Sequence, residues 1–340
     1  MLKSVTLKSV AERVGLSPGT VSSVLNDTPA AQSIPESTKA RIIAAARELN
    51  YRPNFFARSL RAKRTFTVGI IAEEIGDVYG AMVISGIDAR LREEGYFFIT
   101  VIHRHDPKLL RSYADLLTQR GVEGFITVDT SIATVPSLPT VAVAGHRKLK
   151  NVTNVVLDHE LAAELALRHL VELGHREIAF LRGHVLSSDS KPRWAAICKA
   201  AQKLGIEIDP DLVLQIEIPD GSPYLGYPYG KELLKRAKPF TALFAYNDLS
   251  AIGAIRAFKE AGLQVPDDIS VIGFDDIQAA AYNSPSLTTV RQPLFKMGWT
   301  AADILLGRLE NQNENPSEVA VEPSLIVRES SAPSRKADLR

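Results

Sequence analysis

Three groups of residues in this 340-residue chain have types and spacings that could do chemistry. Near the N-terminus, Gly19, Thr20, Ser22 and Ser23 place small hydroxyls and bare backbone on the outward side of a short helical run, an arrangement suited to hydrogen bonding rather than to bond breaking. Further on, His103, Arg104 and His105 follow the apolar run YFFITVI. Two histidines so spaced could begin a metal site, but no third ligand accompanies them, and as a strand or loop continuation they are expected to face solvent. The single cysteine, Cys198, lies in the helical run RWAAICKAAQKL and reads as an inert buried thiol; one cysteine builds neither a disulfide framework nor a cysteine zinc cluster. Residues 65–340 lack GxxxxGK-S/T, GxGxxG after a strand, GxSxG and HExxH. We therefore expect no enzyme activity, no cofactor and no metal.

The elements that position the first group can be read locally. In TLKSVAERVGLSPGTVSSVLND, Leu7, Val10, Ala11 and Val14 recur at i, i+3, i+4 and i+7, one apolar stripe of a helix that Thr6 is placed to cap. Gly15 follows the stripe, where a left-handed backbone ends a helix most easily. Ser17 can cap a second helix, Pro18 suits its first turn, and Val21, Val24 and Leu25 give it a buried side. A third helix is expected from Ser37 to Leu49 with Ile42, Ile43, Ala46 and Leu49 inward. Three short helices around one small core, the second presenting small polar groups, fit a helix-turn-helix whose recognition helix enters the DNA major groove.

Charge separates this head from the rest. Residues 1–64 hold 11 Lys or Arg and 4 Asp or Glu, a net of +7, whereas residues 65–340 hold the remaining 29 basic and 35 acidic side chains, a net of −6. A basic head on a mildly acidic body meets a polyanion at one end only. The body alternates apolar strands with amphipathic helices: FTVGIIA, YFFITVI, VEGFITV, TVAVAG, EIAFL, TALFA and ISVIGF read as strands, which predicts a parallel sheet covered on both faces. No run of about 18 apolar residues is present and the N-terminus has no signal-peptide core, so we expect a cytoplasmic protein without a membrane segment.

The chain resembles the lactose/galactose repressor (LacI/GalR) family. One hallmark run is seen as Val10-Ala11 through Val21-Ser22 to Asn26, and a second as Leu49, Tyr51, Pro53, Asn54, Ala57, Arg58 and Leu60. In the body the resemblance continues to about Arg328, through Leu173-Gly174-His175-Arg176, Asn247-Asp248, the run from Val265 to Asp276, and Leu287-Thr288-Thr289-Val290. The implied fold is an all-α helix-turn-helix head plus an α/β body of two doubly wound parallel-sheet subdomains, similar to type-1 periplasmic binding proteins, joined by three crossovers. The implied boundaries are 1–52 for the head, 53–65 for a hinge helix and linker, 66–328 for effector binding and dimerisation, and 329–340 for a polar tail.

The implied function is a transcriptional repressor whose grip on a pseudo-palindromic operator in double-stranded DNA is controlled by a small-molecule effector, a sugar or related metabolite, in the cleft between subdomains. The resemblance places Thr6, Ser17, Pro18, Gly19, Thr20, Ser22, Ser23, Asn26, Tyr51, Asn54, Arg58 and Leu60 on DNA, with Leu60 as a wedge in the minor groove. Pro18 and Gly19 offer no side-chain hydrogen bond and Ser23 stands where Arg or His is frequent. Direct base readout is therefore thin, and weight shifts to phosphate contacts by Thr6, Ser17, Thr20 and Ser22 and to DNA deformability.

In the cleft the resemblance implies Arg193, Asn247 and Asp275 as effector ligands, with Glu74, Tyr79, His146 and Asp189 beside them. An aspartate after a strand can instead cap the next helix, the alternative for Asp248 and Asp276. This chain departs from the family in its acidic loop Glu73-Glu74-Ile75-Gly76-Asp77-Val78-Tyr79, in Gly145-His146 where Asp-Arg is usual, and in Gly221 where an aromatic platform is common, with Tyr224 nearby. The acidic loop suits a cationic group, whereas His146 and Arg193 suit acidic or polyhydroxy ligands. The tail ESSAPSRKADLR lacks heptad leucines for a tetramerising zipper, so a homodimer is expected, as a palindromic site requires. A solute-binding protein of a transport system would share the body but not the basic head.

Overall fold

The computed structural model describes residues 5–52, 59, 63–76, 78–130, 132, 137–217, 226–236, 238–310 and 316–335. The chain divides into two units, Met1–Thr65 and Phe66–Arg340. In the first, α1 (Leu7–Val14), α2 (Pro18–Leu25) and α3 (Glu36–Glu48) enclose Val10, Ala11, Val14, Val21, Ile42, Ala45 and Ala46. The Thr6 hydroxyl accepts the Ser9 amide at 3.3 Å while Ser9 Oγ accepts the Thr6 amide, a reciprocal box that starts α1. Gly15 ends α1 at φ +68°, a conformation that a side chain would strain, and Ser17 Oγ accepts the Thr20 amide at 3.1 Å to start α2. Across the core, the Arg41 guanidinium donates to the Val14 carbonyl at 3.0 Å, satisfying an orphan acceptor at the end of α1.

Two expectations fail here. In α3 the inward positions are Ile42, Ala45 and Ala46, and Ile43 is exposed, because one residue after Ile42 lies 100° off the stripe. In α2, Ser22 is buried rather than outward: the Asn26 side-chain amide folds back onto the Ser22 carbonyl at 2.8 Å and its hydroxyl at 3.2 Å.

In the second unit, twelve strands among the described residues form two six-stranded sheets. The first contains β1 (Thr67–Ala72), β2 (Phe97–Ile102), β3 (Gly124–Val128), β4 (Thr140–Val143), β5 (Val152–Leu157) and β11 (Glu318–Val321), in the order β11-β5-β4-β3-β1-β2. The second contains β6 (Ile178–Arg182), β7 (Val213–Gln215), β8 (Ala242–Phe244), β9 (Ser270–Asp275), β10 (Thr288–Arg291) and β12 (Ser324–Ile326), in the order β12-β10-β9-β8-β6-β7. Every pairing is parallel except β10 with β12. Strands such as TVGIIA are buried along their whole length, as parallel strands covered on both faces must be. The two lobes share one doubly wound plan, and each order reverses beside its first strand, between β1 and β3 and between β6 and β8.

The helices are α4 (Val78–Glu93), α5 (Pro107–Gln119), α6 (His159–Glu172), α7 (Ser190–Lys203), α8 (Tyr227–Lys235), α9 (Asp248–Glu260), α10 (Gln278–Tyr282) and α11 (Leu294–Leu309). The chain passes between lobes three times: after β5, after β10, and between β11 and β12. The last described segment is no free polar tail. The Val271 amide donates to the Ser330 carbonyl at 2.7 Å, the Ser334 amide donates to the Leu173 carbonyl at 2.8 Å, and Arg335 pairs with Asp268, so residues 330–335 are stitched onto the second lobe. Their polarity serves those bonds. Among the described residues no helix is long and apolar enough to cross a membrane.

Candidate DNA-binding head and effector cleft

Thr6, Ser17, Pro18, Gly19 and Asn26 are exposed, and Thr20 and Ser23 are half-exposed. Thr6 and Ser17 sit at the N-termini of α1 and α2, where free backbone N–H groups and the helix dipole favour an anion such as a phosphate. Tyr51 is partly buried against the head core, so it braces the fold as well as closing the second hallmark run. Asn54, Arg58 and Leu60, and in the body Gly221 and Tyr224, lie outside the described residues.

In the body the site collects where the strands of both lobes end. Asp129 and Thr130 follow β3, Gly145 and His146 follow β4, the loop 183–189 follows β6, Tyr246 and Asn247 follow β8, Asp275 closes β9, and Gln292 follows β10. Four non-glycine residues at these ends hold positive φ: Asp129 at 43°, Ala144 at 57°, Asp275 at 107° and Asp276 at 58°. Such conformations persist only where the surroundings impose them, and they concentrate at functional sites.

Arg193 is the centre of the second lobe's wall. It is buried, its guanidinium lies 4.6 Å from the Tyr246 ring centroid and 3.8 Å from that of Phe274, Nη1 donates to the Tyr246 carbonyl at 2.7 Å, and Nη2 meets Asp189 at 3.4 Å. Gly183 makes room for this stack, since a Cβ there would sit 2.1 Å from the Tyr246 ring. Asp275 accepts from the Gln292 amide at 2.6 Å. Burial opposes the charge on Asp189, but His159, His146 and Arg193 outweigh it and hold the carboxyl well below the usual range. Tyr79, from the first lobe, is pushed well above the ordinary phenol value by burial and by Asp189, Asp129 and Asp275, so it stays a neutral donor.

Several polar atoms here are buried without a protein partner: Tyr79 Oη, Arg193 Nε, Gln292 Oε1 and His184 Nδ1. Leaving such groups dry costs about 1–3 kcal/mol each. A polar ligand would satisfy them.

Not every predicted ligand is aimed this way. Asn247 Oδ1 caps α9 by accepting the Ser250 amide at 2.9 Å. Asp248 is no cap: fully buried, it accepts from Thr289 Oγ1 at 2.5 Å and the Ile277 amide at 2.8 Å, and burial with Asp275 nearby raises its carboxyl well above the usual value. Asp276 likewise holds Arg291 and Arg328, each at 2.6 Å, instead of capping a helix. Glu74 turns onto its own loop, accepting the Ile75 and Gly76 amides at 2.8 and 3.0 Å. His146 and Asp189 face each other across the lobes at 2.5 Å. His103 is buried against Thr130 at 2.9 Å rather than facing solvent, because the segments after β2 and β3 meet over the end of β1, where Thr130 Oγ1 also donates to the Ile71 carbonyl and the His103 amide to that of Ala72. The sequence reading missed Tyr246, Phe274, His184 and Gln292, which gather from separate strands and carry no spacing signal.

A helix-turn-helix unit on a two-lobed body with a polar cleft at the strand ends defines a ligand-responsive DNA-binding regulator. The comparisons with known proteins agree. Residues 6–54 match the model of bacterial regulatory proteins of the lacI family, and residues 167–331 match a periplasmic binding protein-like domain. The HTH-type transcriptional repressor PurR of Haemophilus influenzae is 32% identical over 335 residues, 96% of this chain and 98% of its own. A lac repressor dimer bound to operator and the anti-inducer ONPF superposes with a TM-score of 0.87 at 28% identity, covering 97% of this chain and all of that one. A complex of the transcriptional regulator CelR with cellobiose gives 0.70 at 27% identity, covering 96% and 100%. The chain belongs to the LacI family of transcriptional repressors.

Proposed function

We propose that this chain binds a pseudo-palindromic operator as a homodimer and that a small polyhydroxy metabolite in the body's cleft sets its affinity, without catalysis, in the cytoplasm where the DNA is. The observation that carries the cleft assignment is the group of buried polar atoms without a protein partner, Tyr79 Oη, Arg193 Nε, Gln292 Oε1 and His184 Nδ1, around a stacked, buried arginine. Arg193 would donate to ligand hydroxyls, Asp275 accept from them, and Tyr79 close the first-lobe side, with the Asn247 amide within the same strand-end set. Relatives are described with cellobiose and with ribose bound, which supports a carbohydrate-sized occupant. On DNA, Thr6, Ser17 and Thr20 would hold phosphates, while the stretch with Asn54, Arg58 and Leu60 would supply the minor-groove wedge implied by the family.

The test is calorimetry of the full chain against a panel that includes ribose, cellobiose and other mono- and disaccharides, repeated with Asp275→Asn. One panel member should bind wild type and lose at least about tenfold in the variant, the loss expected when one buried hydrogen bond is broken. Equal affinity in both proteins would move the site elsewhere.

A further inference from the structure

We propose that His146, His159 and Asp189 form a binding site for a borderline divalent transition cation such as Zn²⁺ or Co²⁺, one ion per chain, tying the two lobes together. The two imidazole Nε2 atoms reach the same carboxylate oxygen, Asp189 Oδ1, from different elements: His146 at 2.5 Å and His159 at 3.2 Å. One donor atom from each residue lies within 4.8 Å of the other two. His159 and Asp189 are 7% and 4% exposed, so two of the three ligands are fixed in the interior, and the imidazole rings stand 5.6 Å apart and tilted by 37°.

Ligand chemistry selects the class of ion. Two imidazole nitrogens with one carboxylate oxygen suit zinc, cobalt or nickel, whereas calcium and magnesium want oxygen throughout. Nitrogen and oxygen ligands about 2.0–2.2 Å from a tetrahedral ion sit about 3.3 Å from one another. The pair formed by His159 and Asp189 already has that spacing. The pair formed by His146 and Asp189 must open by about 0.8 Å on the same geometry, and His146 lies on the loop after β4 and retains 22% side-chain exposure. A solvent-open cavity of about 680 Å³ leads to both histidines past Asp158, Glu160, Glu164 and Glu318. Of these carboxylates, Glu160 is paired with Lys199 at 2.6 Å and Glu164 with Lys203 at 2.7 Å.

The placement gives the ion a mechanical role. His146 follows β4 of the first lobe, while His159 opens α6 and Asp189 precedes α7, both packed in the second lobe. An ion here replaces two hydrogen bonds by three coordinate bonds across the crossover. Asp189 Oδ2 remains with Arg193 at 3.4 Å, so one carboxylate would serve ion and arginine together.

The experiment uses the full chain stripped with a chelator, with Zn²⁺ by calorimetry and Co²⁺ by visible absorption. Wild type should bind one ion per chain, show the d–d bands of low-coordinate cobalt, and shift its thermal unfolding upward. Substituting an outer-shell partner ordinarily costs 10–100-fold in affinity, so loss of a direct ligand in His146→Ala or His159→Ala should cost about 100-fold or more. His146→Ala changes a partly exposed loop and keeps the test open if His159→Ala does not fold. The double variant His103→Gln with His105→Gln, which leaves the trio intact, should bind like wild type. Absence of a cobalt band, or undiminished binding in a folded His146→Ala protein, would overturn the proposal and assign any uptake to other histidines.

Discussion

Head and body use polar side chains in opposite ways. In the head, Thr6, Ser17 and Asn26 are exposed and already spent on local bonds within four residues, so the surface offered to DNA is rigid before contact. In the body, Arg193, Asp189, Asp248 and Asp275 are buried, and their partners come from other strands and helices. On our proposal, the first arrangement presents fixed hydroxyls to DNA outside it, and the second surrounds a ligand and leaves bonds for it to complete.

The largest effect separates the two units outright. Val10→Asp places a charge in the small head core beside Val21 and Ile42 and should abolish operator binding, while the unfolding transition followed by tryptophan fluorescence stays put, because Trp194 and Trp299 both report on the body. A body transition that falls with it would show the units to be coupled.

Next comes Asp248, which anchors β10 and the start of α10 from inside the second lobe. Asp248→Ala orphans the Thr289 hydroxyl and the Ile277 amide and should cost the body about 2–5 kcal/mol. Since burial favours its neutral form, Asp248→Asn should cost much less. Denaturant midpoints compare the two variants, and equal losses would contradict a neutral carboxyl.

Acidity offers a smaller but selective lever, because all seven histidines lie in the body. Burial lowers His103, His175 and His184 below the ordinary imidazole value. Their folded values lie below the unfolded value of about 6.5, so the unfolded chain binds more protons as the pH falls. The body should hold its full stability above about pH 6.5 and lose it progressively as the pH drops through the folded values. Tryptophan-monitored melting at pH 8 and pH 5 measures this, and an unchanged midpoint would speak against buried neutral rings. The smallest expected effect is in the head: Ser17→Ala removes one cap and should cost about 1 kcal/mol of head stability, read by circular dichroism melting.

The same contrast explains what was legible in the sequence. Thr6, Gly15 and Ser17 could be assigned from their neighbours because capping and helix termination act within a few residues. The seven expected strands all form, since their apolar runs are continuous and buried on both faces or bounded by clear turns. Five strands escaped: β7, β11 and β12 are three to four residues with mixed burial and leave no period to read, while Thr and Asn interrupt the apolar pattern of β5 (VTNVVL) and β10 (TTVR). In the cleft, Arg193 and Asp275 could be named from family motifs. The Tyr246 and Phe274 stack, the bond from Gln292 to Asp275 and the meeting of His159 with His146 and Asp189 could not, because their members lie 13 to 81 residues apart and meet only through the crossovers and strand ends.

On our proposal, ligand held by Arg193 in the body governs the head. This is tested most directly by titrating operator DNA into wild type and Arg193→Ala, with and without the saccharide that calorimetry identifies. Ligand should change operator affinity by about 5–150-fold in wild type and not at all in the variant, with similar ligand-free affinities for both. A shift of equal size in the two proteins would contradict it, as would ligand binding that leaves wild-type operator affinity unchanged.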